Sequence, residues 1–281
     1  MTYWFDGGRP LDSIRLDDRA VQYGDGLFET IAIRGGRARL WSYHAERLQT
    51  GCARLGLSVP DAQLLEDSLS AALVNAPVDT QHCVAKLLVS AGTGARGYRR
   101  AGEGSGTLLV GLSEAPPLPA EWYRDGVRVR VCDTRLAVQP QLAGIKTLNR
   151  LEQVLARNEW DDESVFEGLL LDADERLICG TMSNVFLIDG NSLVTPAITR
   201  CGVAGVMRRH LLATVTQAGI DCEVRDIAGA ELNSCQGGFL TNSQFGALPV
   251  MKCENRAWRQ DGFSRQLMRL VADGGVAEYP A

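Results

Sequence analysis

Residues 116–119 read Pro-Pro-Leu-Pro, and this proline cluster limits how the chain can fold. Proline has no backbone N–H donor, so the segment cannot continue a helix or lie inside a sheet. Proline-rich segments of this kind act as semi-rigid linkers. We therefore expect a linker over 114–121 that joins an N-terminal domain, 1–113, to a C-terminal domain, 122–281.

The hydrophobic pattern predicts an α+β protein with mostly antiparallel sheets and flanking helices. A strand is predicted over 26–34, and the glycine pair after it would turn the chain into a hairpin with 37–41. Apolar residues at helical spacing predict a helix over 42–55 with Ser42 as its N-cap. The other predicted elements are strands at 84–90, 107–112, 127–132, 168–171, 177–179, 184–188, 192–195, 237–241 and 247–251, and helices at 60–73, 149–160, 205–218 and 263–271.

Composition and charge exclude several classes of protein. The 281 residues are 45% hydrophobic and 22% charged, which is ordinary for a globular protein of one large or two modest domains. A net charge of -5 without a basic run argues against a nucleic-acid partner. Apolar runs are too short for a membrane span, and the N-terminus lacks the pattern of a signal peptide. We therefore expect a cytoplasmic protein with no membrane partner.

Eight cysteines are spread along the chain without a CxxC pair. In a chain of this length they are expected to be buried free thiols in a reducing compartment. Only three histidines are present, and none lies at ligand spacing from a cysteine, so no metal site is predicted.

Lysine is scarce, because arginine supplies nearly all of the 29 positive side chains and only Lys86, Lys146 and Lys252 are lysine. A guanidinium stays protonated, whereas an amine can attack a carbonyl, so each lysine is a candidate for chemistry. Lys146 follows an apolar, glycine-containing approach and precedes a predicted helix. Burial there would favour the neutral amine. The alternative is a strand-end lysine whose ammonium group reaches solvent.

Five motifs resemble, in their order, those of the fold-type IV pyridoxal-phosphate enzymes. This family includes branched-chain and D-amino-acid aminotransferases and 4-amino-4-deoxychorismate lyase. The motifs are Tyr23-Gly24-Asp25-Gly26-Leu27-Phe28-Glu29-Thr30, His44-Ala45-Glu46-Arg47-Leu48, Lys146, Gly180-Thr181-Met182-Ser183-Asn184-Val185-Phe186 and Gly202-Val203-Ala204-Gly205-Val206-Met207-Arg208. The segments 144–153 and 94–98 are similar to the lyase branch in particular.

The resemblance implies which residues bind the cofactor, pyridoxal 5′-phosphate. Lys146 would bind it as a Schiff base, and Arg47 would bind its phosphate through charge-assisted hydrogen bonds. The backbone N–H groups of Val206 and Met207, at the start of a helix, would bind the same phosphate. The Ser243 hydroxyl would complete this phosphate site.

The resemblance to the lyase branch also implies a reaction and a substrate. The substrate would be 4-amino-4-deoxychorismate, which is converted to 4-aminobenzoate and pyruvate in folate biosynthesis. Lys146 would act as the base, and Thr30 would assist proton delivery to the departing enolpyruvyl group. Asn149 and Arg96 would orient polar groups of the substrate, and Tyr98 would line its pocket. Enzymes of this fold are homodimers, so a homodimer is expected.

One position departs from the family pattern. Cys179 stands where the family usually has a glutamate that pairs with the pyridine nitrogen, and Glu175 lies too early to replace it. A carboxylate keeps that nitrogen protonated, which makes the ring a strong electron sink, whereas a thiol does this poorly. Transamination depends on this electron sink more strongly than a reaction that forms an aromatic ring does. The lyase is therefore favoured over a D-amino-acid or branched-chain aminotransferase, and a non-enzymatic binding relative is a further alternative.

Overall fold

The structure is a computed structural model of the chain, and it divides into two compact units. The first unit contains 1–116 together with 145–149, and the second contains 117–144 and the residues from 150 onward. The structure describes residues 1–94, 96–100, 106–258 and 262–276. Ala95, part of the 94–98 motif, lies outside these described residues.

The first unit is built on an antiparallel sheet with the strand order β2-β1-β6-β5-β3-β4. Its elements are β1 (Thr2–Asp6), β2 (Arg9–Leu11), α1 (Arg19–Tyr23), β3 (Gly26–Arg34), β4 (Arg37–Ala38), α2 (Trp41–Leu55), α3 (Ala62–Asn75), β5 (His82–Ser90) and β6 (Thr107–Glu114). Its core joins β3 and β5 to α2 and α3 through buried residues such as Ile31, Leu48, Leu65 and Leu87. Burial of this apolar face is the main source of its stability.

The Lys146 segment pairs with the beginning of β3. The Phe28 N–H donates to the Lys146 carbonyl at 3.0 Å, and the Leu148 N–H donates to the Gly26 carbonyl at 3.0 Å. The Ile145 side chain is buried in the first unit's core. These contacts place Lys146 in the first unit, which differs from the expectation that the C-terminal domain carries it. The proline cluster marks where the chain leaves the first unit, but no local pattern marks this later return.

The second unit is built on a mixed sheet with the order β12-β11-β10-β14-β15-β7-β8-β9-β13, and β16 pairs with β15. Its elements are α4 (Ala120–Asp125), β7 (Val127–Leu136), α5 (Leu151–Arg157), β8 (Val165–Asp172), β9 (Arg176–Gly180), β10 (Asn184–Asp189), β11 (Ser192–Pro196), α6 (Val206–Gln217), β12 (Cys222–Arg225), β13 (Ile227–Ala228), β14 (Gly237–Asn242), β15 (Gly246–Cys253), β16 (Arg256–Ala257) and α7 (Gly262–Val271). The pairs β7–β8, β7–β15 and β11–β12 are parallel, and the other pairs are antiparallel. The predicted α+β class with mostly antiparallel strands is confirmed.

Two helices differ from their predicted form. Helix α2 begins at Trp41 after Leu40, whose φ of 54° places it in the left-handed region, so Ser42 is not the N-cap. Helix α5 is shorter than predicted, and its apolar residues Leu151, Val154 and Leu155 are exposed instead of packed. An exposed apolar face of this kind is typical of a surface that contacts another protein.

Within the described residues, no helix is both long and apolar enough to cross a membrane. All eight cysteines are free thiols. In the part of the chain that the structure describes, no group of three or more His, Cys, Asp or Glu side chains is placed to hold a metal ion.

Candidate active site

Two of the three lysines converge on one aromatic ring in the first unit. The Lys146 Nζ atom lies 4.4 Å from the centre of the Phe28 ring, and the Lys86 Nζ atom lies 4.7 Å from the same centre. Thr30 pairs directly with Lys86 across β3 and β5, so their side chains share one face of the sheet. We call Phe28, Thr30, Lys86 and Lys146 the lysine face.

The lysine face combines an amine, a hydroxyl and a second cation next to an aromatic ring. Lys86 is half-buried, and burial lowers the pKa of its ammonium group. The face of the Phe28 ring attracts a nearby cation and holds it in place. Two of the three candidate lysines therefore lie on this face, and the pairing of Lys86 with Thr30 follows from the sheet register.

A buried carboxylate, Glu29, fixes the position of Arg47. Glu29 is 1% exposed and accepts hydrogen bonds from Arg47 Nε at 2.7 Å, from Arg47 Nη2, and from His44 Nδ1 at 2.6 Å. Burial opposes ionisation of Glu29, but the Arg47 charge and the His44 bond outweigh it and lower the pKa to about 2. Burial also lowers the pKa of His44, which keeps the ring neutral with its proton on Nδ1. We call these residues the Glu29 cluster.

The sequence predicted a role for Arg47 but none for Glu29 or His44. A signal was present, because Glu29 occupies an inward position of a strand between Leu27 and Ile31. A carboxylate at such a position requires a charged or hydrogen-bonding partner. His44 and Arg47 lie three residues apart on one face of the predicted helix, which is the spacing that such a partner pair needs.

The predicted substrate residue Asn149 lies in the segment that pairs with β3. Its Nδ2 atom donates to the Gly24 carbonyl at 3.0 Å, and the residue is exposed. Gly24 ends α1 in the left-handed region, with φ of 62°. Asn149 therefore helps to hold the turn between α1 and β3.

The predicted substrate residues Arg96 and Tyr98 lie on an exposed loop that α1 holds in place. The Arg19 guanidinium donates to the carbonyls of Gly97 and Tyr98, each at 2.9 Å. The Tyr98 ring meets the Tyr23 ring edge-on with a centroid distance of 5.5 Å, yet the Tyr98 residue is 87% exposed. The loop backbone is thus fixed while the side chains of Arg96 and Tyr98 face solvent in the single chain.

In the second unit, the first turn of α6 carries the predicted backbone donors Val206 and Met207. Asn184 holds the residues that lead into this helix, because its Oδ1 atom accepts from the Gly205 N–H at 2.9 Å and its Nδ2 atom donates to the Val203 carbonyl at 2.9 Å. A Cβ atom on Gly205 would overlap Asn184 Oδ1. Helix α6 has no side-chain N-cap bond, so its first N–H groups suit a phosphate.

Ser243 lies in the turn that follows β14. Asn242 fixes this turn, because its Oδ1 atom accepts from the backbone N–H groups of Gln244 at 2.7 Å and Phe245 at 3.1 Å. Ser243 is partly exposed.

Cys179 and Glu167 occupy opposite faces of the hairpin formed by β8 and β9. Cys179 pairs with Leu170, whereas Gly180 pairs with Leu169, and a Cβ atom on Gly180 would lie 2.7 Å from a Glu167 carboxylate oxygen. Cys179 is buried in an apolar cluster, and burial raises the pKa of its thiol, so it stays neutral. Glu167 is fully buried and accepts hydrogen bonds from Gly168 N, Thr181 N, Thr181 Oγ1, Met182 N and Ser183 Oγ.

Comparison with known proteins decides the family. The family model described as amino-transferase class IV matches residues 26–253. The chain belongs to the class IV aminotransferase family. A relative, the aminodeoxychorismate lyase of Vibrio harveyi, is 34% identical over 249 residues, which are 88% of this chain and 90% of the relative.

Two solved structures have the same fold as this chain. The crystal structure of 4-amino-4-deoxychorismate lyase from Pseudomonas aeruginosa has a TM-score of 0.87 and 41% identity, and the match covers 97% of this chain and 98% of that one. The pyridoxal-phosphate-bound form of a hypothetical aminotransferase from Mycobacterium tuberculosis has a TM-score of 0.80 and 22% identity, with 98% of each chain covered. The family and the fold predicted from the motifs are confirmed.

Proposed function

We propose that this protein is a pyridoxal-phosphate-dependent aminodeoxychorismate lyase, which converts 4-amino-4-deoxychorismate to 4-aminobenzoate and pyruvate. The lysine face carries the proposal, because it places the amine of Lys146, the hydroxyl of Thr30 and the cation of Lys86 around one ring. The similarity to two lyases at 34% and 41% identity supports the same substrate.

The residues present fit the cofactor at both of its ends. Lys146 supplies the amine that would bind its aldehyde carbon. The first turn of α6 offers backbone N–H groups to a phosphate, and Arg47, held by Glu29, offers a guanidinium. Ser243 adds a hydroxyl. When bound, pyridoxal phosphate supplies an electron sink for the substrate carbon that carries the amino group.

The chain's own residues then account for the proton transfers. The Lys146 amine takes the proton from C4 of the substrate, because an amine held next to this carbon acts at high effective concentration. The bond between the ring carbon and the ether oxygen breaks, and the ring becomes aromatic. Thr30 assists proton delivery to the departing enolpyruvyl group, which is released as pyruvate. Lys86 is a suitable partner for a substrate carboxylate, and Asn149, Arg96 and Tyr98 orient the remaining groups.

Cys179 supports the lyase over the aminotransferase. Its buried thiol is neutral, and Glu167 faces the other side of the hairpin with its oxygens engaged by the turn at 181–183. A site with this residue facing the pyridine nitrogen would stabilise a carbanion weakly. Loss of pyruvate with aromatisation depends least on that stabilisation, so it is the reaction that this residue favours.

The proposal is tested by cofactor trapping and product formation in the same preparation. Purified protein is loaded with pyridoxal phosphate and treated with borohydride. A peptide map should then show the reduced cofactor attached to Lys146. The untreated protein should form 4-aminobenzoate from 4-amino-4-deoxychorismate. Lys146→Ala should abolish both, while Lys252→Ala, on β15, should retain both. Turnover by Lys146→Ala at the parental rate would contradict the proposal.

We also propose that the enzyme is a cytoplasmic homodimer. The exposed apolar residues Leu151, Val154 and Leu155 on α5 support a partner surface, and the resemblance to the family supports a second copy as that partner. Light scattering coupled to gel filtration should give twice the 30.5 kDa mass of the chain. The variant Leu151→Ser/Leu155→Ser should shift this mass towards the monomer, and a wild-type monomer at all concentrations would contradict the proposal.

A further inference from the structure

Thr241, on β14, has a buried hydroxyl without a hydrogen-bond partner among the described residues. The residue is 1% exposed, and its Oγ1 atom is unsatisfied. Buried hydroxyls in folded proteins nearly always have a partner, because an unpaired one loses its hydrogen bonds to water. The exception therefore points to a partner outside the described residues.

The strand register shows which way the Thr241 side chain points. Thr241 pairs directly with Asn184 of β10, and side chains of directly paired residues lie on the same face of a sheet. The neighbouring residues Val185 and Leu240 point to the opposite face, where both belong to the second unit's core. Thr241 and Asn184 therefore share the face away from that core.

That shared face contains the start of α6. The Asn184 side chain bonds to the Gly205 N–H and the Val203 carbonyl, which lie immediately before the helix. Thr241 is thus directed to the same helix end whose free N–H groups suit a phosphate. Ser243 lies two residues further along the chain, in the turn that follows β14.

We propose that the Thr241 hydroxyl is a further ligand of the cofactor's phosphate group, beside the N-terminus of α6. A hydroxyl that donates to a phosphate oxygen makes a charge-assisted bond, which is stronger than a bond between neutral groups. The inference rests on the proposed function, because it takes the anion at this helix to be the phosphate of pyridoxal phosphate.

The test compares pyridoxal 5′-phosphate with pyridoxal, which has the same aldehyde but no phosphate. Thr241→Val removes the hydroxyl at nearly constant volume. We expect its Kd for pyridoxal 5′-phosphate to rise roughly 10- to 100-fold, which is the loss of one hydrogen bond to a charged group. The Kd for pyridoxal should stay within about twofold, since that ligand lacks the affected group. Thr241→Ser keeps the hydroxyl and should restore the wild-type ratio of the two constants.

The stability of the cofactor-free protein provides a second readout. Thr241→Val should leave its Tm unchanged or raise it, because the hydroxyl has no partner to lose. Thr195→Val is the matched control on β11: Thr195 is also fully buried, but its hydroxyl donates to the Val185 carbonyl at 2.8 Å. This control should lower the Tm.

Each outcome has one interpretation. A Thr241→Val protein with the wild-type ratio of Kd values, or with both Kd values raised equally and the Tm lowered, would overturn the inference and leave the proposed function intact. Wild-type protein that binds neither compound would overturn the proposed function itself. A raised ratio with an unchanged or raised Tm would support the inference, since a purely structural threonine cannot give that combination.

Discussion

Cys179 and Glu167 lie on opposite faces of the β8–β9 hairpin, because Cys179 pairs with Leu170 while Glu167 lies on the side of Leu169 and Gly180. Glu167 holds the turn at 181–183 through its hydrogen bonds and cannot reach the Cys179 face without losing them. Glu167 therefore does not replace the carboxylate that the resemblance leads us to expect at position 179.

Restoring that carboxylate should change the reaction preference. We expect Cys179→Glu to speed the conversion of bound pyridoxal phosphate to the pyridoxamine form by D-alanine or L-leucine, because a carboxylate at the pyridine nitrogen strengthens the electron sink. Single-turnover absorbance measurements on fully loaded protein check this. Cys179→Ser is the control, with a neutral polar side chain of similar size. Equal half-reaction rates in Cys179→Glu and Cys179→Ser would show that Cys179 does not favour the lyase over the aminotransferase.

Glu29 should make stability depend on pH. A carboxyl group whose pKa falls on folding stabilises the folded state above its unfolded value and loses that contribution as the pH falls to the folded value. For Glu29 this window runs from about 4.5 down to about 2, and the shift corresponds to about 3 kcal/mol. Urea unfolding of the cofactor-free wild type and of Glu29→Gln should show a large difference in the free energy of unfolding at pH 7. This difference should shrink towards pH 3.

The matched control for Glu29 is Glu66 on α3. Glu66 accepts a hydrogen bond from Trp41 Nε1 at the protein surface, at 2.9 Å. Glu66→Gln should change the free energy of unfolding by less than about 1 kcal/mol at every pH. A Glu29→Gln difference that is equally small at pH 7, or that grows on acidification, would show that the ion pair with Arg47 does not stabilise the fold.

Lys86 should contribute to substrate binding more than to cofactor binding. We expect Lys86→Met to lower kcat/KM for 4-amino-4-deoxychorismate by roughly 10- to 100-fold, the usual cost of losing a charged hydrogen bond. The Kd for pyridoxal phosphate should be unchanged within about twofold, because the assigned cofactor contacts remain. Lys86→Arg tests whether the positive charge alone is enough, since the guanidinium keeps this charge but lacks the compact shape of the ammonium group. A loss of cofactor affinity equal to the loss of kcat/KM would assign Lys86 to the cofactor instead.

The sequence predicted what depends on local patterns. The strand over 26–34 and the helix over 205–218 follow from periodicity, and the structure has β3 at Gly26–Arg34 and α6 at Val206–Gln217. Lys146 was selected by scarcity and by its motif. In these cases the information lies within a dozen neighbouring residues.

The remaining features depend on contacts between distant segments. Pairing of Leu148 with Gly26 joins the Lys146 segment to the first unit, and Thr30 meets Lys86 through the register of β3 and β5. The strand register also decides which face Thr241 occupies. These strand registers pair segments that are far apart in the chain, so they cannot be read from neighbouring residues in one sequence.

Gly205 and Asn184 should show strong energetic coupling. We expect Gly205→Ala to destabilise the cofactor-free protein by about 1–3 kcal/mol, since the added Cβ overlaps the Asn184 amide oxygen. In an Asn184→Ala background the same change should cost less than about 0.5 kcal/mol, because the overlap is gone and alanine suits the Gly205 φ of −66°. Urea unfolding of the four proteins in this cycle measures the coupling. Additive effects of the two changes would mean that Asn184 does not hold the start of α6, and the phosphate site would then need another support.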